Sequence, residues 1–237
     1  MIKTVWLDNP PVNAISPGLI AHVYDELADL GDARVVVLRG RGERAFSAGA
    51  DIGGFQGERE ESEHPAGITP LAEFLEGLPV PVVAAVHGYC LGGGLEVALA
   101  CDVRIATPDA QFGFPEVKLG LLPGGGGTQR APRLIGAGRA AWLIMSGERI
   151  PAERALQWGL IEGIFDDLEA GIDEIAGTLE KQSPHAIRQI KELLNATRET
   201  PDYDREMQAF GACLASEDGQ EGVAAFLEKR EPQWTGR

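Results

Sequence analysis

The chain has 237 residues, of which 44% are hydrophobic, so it is long enough to bury the core of one large domain. Its formal net charge of −15 argues against a nucleic-acid-binding surface, because contacts to phosphates need clustered Lys and Arg. No apolar run reaches the length of a membrane span and no signal peptide is visible, so we expect no membrane association. The three cysteines lack the spacing of a metal site and favour a reducing, cytoplasmic location.

Strands and helices alternate in the first half of the chain. The first predicted strand is Val5–Leu7, and the first helix runs from Pro17 to Leu30 with Ser16 as its N-cap. Further strands are predicted at 34–38, 81–87 and 103–106. Their continuous apolar and β-branched residues are typical of strands covered on both faces. Strand and helix alternating at this spacing predict a mainly parallel α/β sheet.

The rest of the chain is predicted to be a loop followed by helices. The segment Gly53–Pro70 is polar and is predicted to be a surface loop. Helical spacing of apolar residues recurs at 170–181, 184–197, 203–215 and 220–229. We therefore expect an α/β core over residues 1–165 and a helical C-terminal region over residues 166–237.

Three consecutive glycines, Gly92 to Gly94, stand just before Glu96 at the start of an apolar helix expected over 95–101. Glycine leaves backbone N–H groups open to a ligand, and the helix dipole favours negative charge at the same point. The segment therefore suits an oxyanion site with a carboxylate beside it. A plain turn, with the glutamate only complementing the helix dipole, is the alternative.

A second carboxylate, Glu116, comes twenty residues later and is followed by four glycines that begin at Gly124. Gly124 is predicted to start another helix, with an N–H group able to orient a water molecule or an anion. The neighbours of both glutamates are apolar, and burial would raise the pKa of at least one of them. Two such carboxylates can divide proton donation and proton abstraction between them.

A third segment, Ala48 to Ile52, follows the strand predicted at 34–38. Its small residues allow a close approach of the backbone, so the N–H group of Ala50 could join that of Gly93 on one oxygen atom. Two convergent N–H donors form an oxyanion hole. For Asp51 a helix or turn cap is the simplest structural role.

Other common sites are absent from the sequence. It contains no P-loop, no Gly-x-Ser-x-Gly nucleophile elbow and no His-Glu-x-x-His zinc helix. The four histidines are scattered, and Cys90 is interpreted as a packing residue. The two glutamates thus remain the candidate catalytic groups.

Taken together, these motifs resemble the enoyl-CoA hydratase/isomerase (crotonase) family. The similarity covers nearly the whole chain and is carried by the segments 48–52, 88–96 with Cys101-Asp102, 112–116 through 124–130, 146–150, 155–160 and 226–230. It implies an α/β spiral core of ββα units with a C-terminal helical layer, trimers packed into hexamers, and no metal or redox cofactor.

The resemblance also implies the roles of individual residues. The N–H groups of Ala50 and Gly93 would bind the thioester oxygen, and Gly124 would lie near the reacting water. Glu96 and Glu116 would be the catalytic pair, with Glu96 activating water and Glu116 protonating the α-carbon.

Contacts to coenzyme A are expected from Ala48, Gly49, Asp51, Ile52 and Lys229. The chain departs from the family pattern in having Gly53 where many relatives carry Lys. The sequence therefore does not identify which residues contact the CoA phosphates. Arg230 and Arg44 are alternatives to Lys229. Compared with the family pattern, we also expect a strand before Val5 and about one turn of the first helix to be missing.

The sequence thus predicts an enzyme that adds water to a 2-enoyl-CoA thioester to give a 3-hydroxyacyl-CoA. Two alternatives remain. One is a double-bond isomerase that uses a single glutamate, and the other is a non-catalytic acyl-CoA-binding subunit.

Overall fold

The computed structural model describes residues 1–51, 65, 67–196 and 203–237. Within these ranges the strands are β1 Ile2–Leu7, β2 Val35–Gly40, β3 Ala45–Ser47, β4 Val82–Val86, β5 Tyr89–Leu91, β6 Val103–Ala106, β7 Gln111–Gly113, β8 Arg149–Pro151 and β9 Gly163–Ile164. The helices are α1 Pro17–Ala28, α2 Ile68–Gly77, α3 Gly93–Ala100, α4 Gly127–Ile135, α5 Ala137–Ser146, α6 Ala152–Trp158, α7 Leu168–Glu180, α8 Pro184–Ala196, α9 Tyr203–Ala215 and α10 Glu217–Glu228. A 3-10 helix, Pro115–Leu119, lies between β7 and α4.

The larger sheet is fully parallel and has the strand order β1-β2-β4-β6-β9. In its centre Val5 pairs with Leu38, Leu38 with Ala84, and Ala84 with Arg104. The residues of β4 are buried on both faces, because α7 covers one side of the sheet and the main hydrophobic core covers the other. The predicted mainly parallel α/β sheet is confirmed.

A second sheet carries the site-forming segments. Its order is β3-β5-β7-β8, with a parallel arrangement except for the antiparallel pair β7 and β8. Each of its strands has three residues, which is too short for a recognisable apolar period, and the sequence analysis does not predict β3, β5, β7 or β8. The glycines that follow β5 lie at the carboxyl end of this parallel strand, where α/β sheets place ligand sites.

Helix α3 is buried along its whole length and begins at Gly93, two residues before the predicted start. It packs so closely on β3 that a methyl group at Gly94 would lie 2.5 Å from the carbonyl oxygen of Ser47. Only glycine permits this approach, which brings the N-terminal end of α3 next to the segment that follows β3.

Several predicted boundaries need correction. Helix α1 begins at Pro17 as predicted, with the Leu19 N–H donating to Ser16 Oγ, but it ends at Ala28 rather than Leu30. Helix α10 begins three residues before the predicted Gln220 because Ser216 caps it, with its Oγ accepting from the Gly219 N–H. Residues 53–64 and 66 of the predicted 53–70 loop lie outside the described residues, and α2 already begins at Ile68.

The C-terminal helices differ in what they pack against. Helix α7 packs on the parallel sheet through Leu168, Ile172 and Ala176, whereas α8, α9 and α10 pack mainly on one another. The predicted helical C-terminal layer is therefore present, and the division at residue 165 stays a prediction. In the described part of the chain, none of the helices has the length and apolar character needed to cross a membrane.

One buried lysine fastens α8 to the core. Lys191 Nζ donates to the carbonyl oxygens of Leu75 (3.1 Å) and Val80 (3.0 Å) and to Asp102 Oδ2 (2.8 Å). The same carboxylate oxygen accepts from the N–H of Val82 at 2.7 Å. All three ammonium protons are thus satisfied, and the end of α2 is tied to the start of β4 and to the turn after α3.

We predict that Lys191→Met lowers the free energy of unfolding by about 2 kcal/mol or more, because it leaves a partly buried carboxylate without its counter-ion and two carbonyl groups without this donor. Urea denaturation followed by circular dichroism measures this difference. The control is Lys181→Met, whose side chain is exposed and which we expect to change stability little. Equal stability of the Lys191 variant and the parent chain would contradict the conclusion that Lys191 stabilises the packing of α8 on the core.

Candidate active site

The side chain of Glu96 is buried at the first turn of α3 and is bound by the backbone of a neighbouring turn. Its Oε1 accepts hydrogen bonds from the N–H groups of Gly125 (2.7 Å) and Gly127 (2.8 Å). Burial raises the pKa of Glu96 above its ordinary value, and these two hydrogen bonds and the positive charge of Arg130 offset only part of that rise. The N–H donors favour the ionised form, so the site contains a buried carboxylate with a preset orientation.

Glu116 has the opposite surroundings. It lies on the 3-10 helix Pro115–Leu119, and a methyl group at Gly92 would come within 2.6 Å of its Oε1. Its Oε2 is buried and has no hydrogen-bond partner among the described residues. Burial raises the pKa of Glu116 to about 6; a hydrogen bond from its own backbone N–H opposes this rise, and the negative charge of Glu96 adds to it. The structure thus brings the two glutamates together beside Gly92 and gives them different proton affinities.

The two predicted oxyanion donors also come together. Gly93 is the first residue of α3, where N–H groups have no acceptor within the helix. A methyl group on Gly93 would lie 3.2 Å from the backbone nitrogen of Ala50, so the two segments are in contact. Among the described residues neither N–H has a hydrogen-bond acceptor, and both are available to a ligand oxygen.

The segment around Ala50 is held in place by its neighbours. The N–H of Ala48 donates to the carbonyl of Val12, and the N–H of Asp51 donates to the carbonyl of Ile15. The N–H of Gly49, directly before Ala50, donates to Ser47 Oγ at 3.4 Å. In the segment 48–51, the N–H of Ala50 is therefore the one with no acceptor among the described residues. Gly49 has a φ of 120°, a conformation that residues with a side chain rarely adopt.

The prediction that Gly124 begins a helix is wrong. Helix α4 begins at Gly127, and the N–H groups that meet Glu96 belong to Gly125 and Gly127. The carbonyl of Gly124 accepts from Thr69 Oγ1 at 3.0 Å. Because residues 124–127 are all glycine, the sequence does not show at which of them the turn ends and the helix begins. The water-positioning role of Gly124 stays a prediction.

The remaining predicted CoA contacts fall in different places. Ala48, Gly49 and Asp51 lie in the segment beside Gly93, as described above. Ile52 and Gly53 lie outside the described residues. Lys229 is an exposed residue at the C-terminal end of α10, which packs mainly on α8 and α9 rather than on the elements that hold the two glutamates.

Two features of the site were missed by sequence reasoning. The side chain of Ile68, at the start of α2, lies against both Gly93 and Gly125 and so covers the glycines on both sides of the site. Arg130 and Glu76 form a largely buried ion pair behind Gly125. The position of Arg130, three residues after the last glycine, indicates from sequence that it lies near the glycine turn. Nothing in the sequence indicates that it pairs with Glu76.

The arrangement can support proton transfer next to a polarised carbonyl group. Two N–H donors can bind an oxygen that gains negative charge, and two carboxyl groups of unequal proton affinity lie nearby. Within the described ranges, no group of three or more His, Cys, Asp or Glu side chains is arranged to hold a metal ion.

We predict that Glu116→Gln stabilises the protein at pH 7.5 by about 1 to 2 kcal/mol. Because the pKa of Glu116 is higher in the folded chain than in the unfolded one, its protonation favours folding. This contribution to stability is fully present below pH 4.5 and is lost as the pH rises through about 6. Above that pH the variant lacks a buried negative charge. Urea denaturation should show the gain at pH 7.5 and little difference at pH 4.

The exposed residue Glu153 supplies the control, since Glu153→Gln should change stability little at either pH. A loss of stability in the Glu116 variant at pH 7.5 would mean that the carboxylate has a stabilising partner.

Comparison with known proteins places the chain in a family. The sequence pattern of the family described as "Enoyl-CoA hydratase/isomerase" matches residues 1–237. The chain is 39% identical to a probable enoyl-CoA hydratase from Bacillus subtilis, over 99% of this chain and 95% of that protein. It is 36% identical to a crotonyl-CoA hydratase from Syntrophomonas wolfei, over 100% and 95% of the two chains.

The fold agrees with this assignment. A crystal structure of an enoyl-CoA hydratase from Bacillus anthracis superposes with a TM-score of 0.90 at 38% identity, covering 100% of this chain and 96% of that one. The expected crotonase-like α/β core with a C-terminal helical layer is therefore confirmed. The chain belongs to the enoyl-CoA hydratase/isomerase family, also called the crotonase family.

Proposed function

We propose that the protein is an enoyl-CoA hydratase, which adds water across the double bond of a 2-enoyl-CoA to give a 3-hydroxyacyl-CoA. The observation that carries this proposal is the pair of a buried glutamate, Glu96, and a half-buried one, Glu116, with unequal surroundings and next to two free N–H donors. Glu96 is hydrogen-bonded as a carboxylate, and Glu116 holds its proton more tightly than a free glutamic acid does.

The thioester carbonyl would accept hydrogen bonds from Ala50 and Gly93. These bonds stabilise the negative charge that builds on the oxygen when a nucleophile attacks the β-carbon. Since both donors are backbone groups fixed by the fold, they need little reorganisation during the reaction.

The two glutamates would carry out the proton transfers of the reaction. Glu96 takes one proton from a water molecule as the water oxygen bonds to the β-carbon, and protonated Glu116 gives its proton to the α-carbon. The reaction leaves Glu96 protonated and Glu116 ionised, so one proton must return from Glu96 to Glu116 before the next turnover. The two groups titrate as a coupled pair, because each affects the charge of the other.

The relatives support the substrate class. Their names, "Probable enoyl-CoA hydratase" and "Crotonyl-CoA hydratase", describe the addition of water to CoA thioesters. For this chain we propose an acyl-CoA thioester as substrate, with Ala48, Gly49, Asp51, Ile52 and Lys229 as contacts to coenzyme A and Gly124 near the water. We expect turnover with no added cofactor or metal. The free thiols of the chain suit the cytoplasm, which we propose as its location.

We predict that the protein removes the absorbance of the conjugated double bond of crotonyl-CoA. Glu96→Gln and Glu116→Gln should each lower kcat by about 10²-fold or more, because each removes one member of the proton-transferring pair. The measurement is the initial rate at saturating substrate, first with crotonyl-CoA and then with longer 2-enoyl-CoA chains.

Glu153→Gln is the matched control, since it makes the same chemical change at an exposed site. Full activity in Glu96→Gln would contradict the two-carboxylate mechanism and favour a double-bond isomerase. Tight binding of the thioester without loss of absorbance, in the parent chain, would favour a non-catalytic acyl-CoA-binding subunit.

We propose that the protein forms a homotrimer or a hexamer of two trimers. The support is a set of large apolar side chains that remain exposed on the last three helices. These residues are Ile190, Leu194, Met207, Phe210, Leu214, Val223, Phe226 and Leu227. An exposed apolar surface of this extent is typical of an interface between protein chains.

Analytical ultracentrifugation should therefore give three or six times the chain mass of 25.3 kDa. Phe210→Asp places a charge on α9, where the phenylalanine is 57% exposed, and should shift the population toward monomers. The exposed α6 variant Glu153→Gln should leave the assembly unchanged. A monomeric parent chain at micromolar concentration would refute the proposed assembly.

A further inference from the structure

A largely buried ion pair lies behind the glycine turn that holds Glu96. Arg130 of α4 and Glu76 of α2 pair through two parallel hydrogen bonds, from Nε to Oε1 (2.8 Å) and from Nη2 to Oε2 (2.9 Å). Their side chains are only 10% and 13% exposed. Such a bidentate pair fixes the plane of the guanidinium group as well as its position.

The third nitrogen of this guanidinium group reaches the glycine turn. Arg130 Nη1 donates to the carbonyl oxygen of Gly125 at 3.0 Å, at a buried position. This carbonyl belongs to the peptide group between Gly125 and Gly126. It lies between the two peptide groups whose N–H groups bind Glu96 Oε1.

The glycine turn needs such an external anchor. Residues 124–127 are all glycine, so they have no side chains with which to pack and lose more conformational freedom on folding than any other sequence. Gly126 adopts a φ of 102°, which places the N–H of Gly127 on the same side as that of Gly125. The hydrogen bond from Arg130 holds the one peptide group that connects these two donors.

We propose that Arg130, oriented by Glu76, is a positioning residue that sets the direction of the Glu96 carboxylate through the Gly125–Gly127 backbone. Neither residue of the pair needs to touch the substrate. The kinetic part of this inference rests on the proposed function, because it assumes that Glu96 acts on water.

The charge of Arg130 acts on the same carboxylate. It lowers the pKa of Glu96, whereas the negative charge of Glu96 in turn raises the pKa of Glu116. The positive charge of Arg130 also interacts with the carboxylates of Glu76 and Glu73 on α2. Removal of the guanidinium charge should therefore raise the pKa of Glu96 and make its ionised form scarcer at a given pH.

The test uses three variants of the full chain. Arg130→Lys keeps the charge but cannot form two bonds to Glu76 and one to Gly125 in the same plane. Arg130→Gln removes the charge, and Glu76→Gln removes the partner that orients the guanidinium group. Arg133→Lys and Arg133→Gln are matched controls, because Arg133 is an exposed arginine on the same helix.

We expect Arg130→Lys and Glu76→Gln to lower kcat for crotonyl-CoA by about 10- to 100-fold with KM changed by less than about threefold, since small misplacements of a catalytic group cost rates of this size. In Arg130→Gln the acid limb of the kcat profile should also move to higher pH. If that variant does not fold, the other two still decide the kinetic question.

A readout that does not need activity separates this inference from the proposed function. Hydrogen exchange measured by mass spectrometry should become faster at residues 124–127 in Arg130→Lys and stay unchanged in Arg133→Lys. Wild-type kcat in folded Arg130→Lys, or a loss expressed only in KM, would overturn the positioning role. An inactive parent chain with the expected exchange pattern would overturn the proposed function alone.

Discussion

The candidate active site depends on one interaction, the two hydrogen bonds that Glu96 Oε1 accepts from backbone N–H groups. This carboxylate lies on α3, and its two donors lie just before and at the start of α4. The interaction therefore joins the helix that presents the Gly93 N–H to the turn that closes the other side of the site. Without it, the burial of Glu96 would favour a neutral side chain of undefined direction.

The second glutamate shows what the first would be without its donors. Glu116 is half-buried, its buried Oε2 has no partner among the described residues, and its pKa rises to about 6. A carboxyl group whose pKa is raised by burial in this way is typical of functional sites. The difference between the two acids comes from backbone geometry, not from residue type.

The sequence predicted the parts of the site that lie in compact motifs. Gly93, Glu96 and Glu116 could be found because glycine runs and carboxylates recur within short segments, and the parallel sheet followed from its continuous apolar strands. The start of α4 and the partners of Glu96 could not be found, since four identical glycines give no sign of which N–H points where. The pair of Arg130 and Glu76 joins residues 54 positions apart, and the three-residue strands are fixed only by tertiary pairing.

The donors of the oxyanion site belong to the main chain, whereas the acids belong to side chains. A point substitution can exchange either glutamate, but it cannot delete the N–H of Ala50 or Gly93 unless it introduces proline. The donors are instead displaced by any side chain at Gly94, which would push α3 away from β3. Under the proposed function, gene duplicates of such a chain that keep these glycines would still bind a thioester while their proton-transfer chemistry changed with each carboxylate replaced.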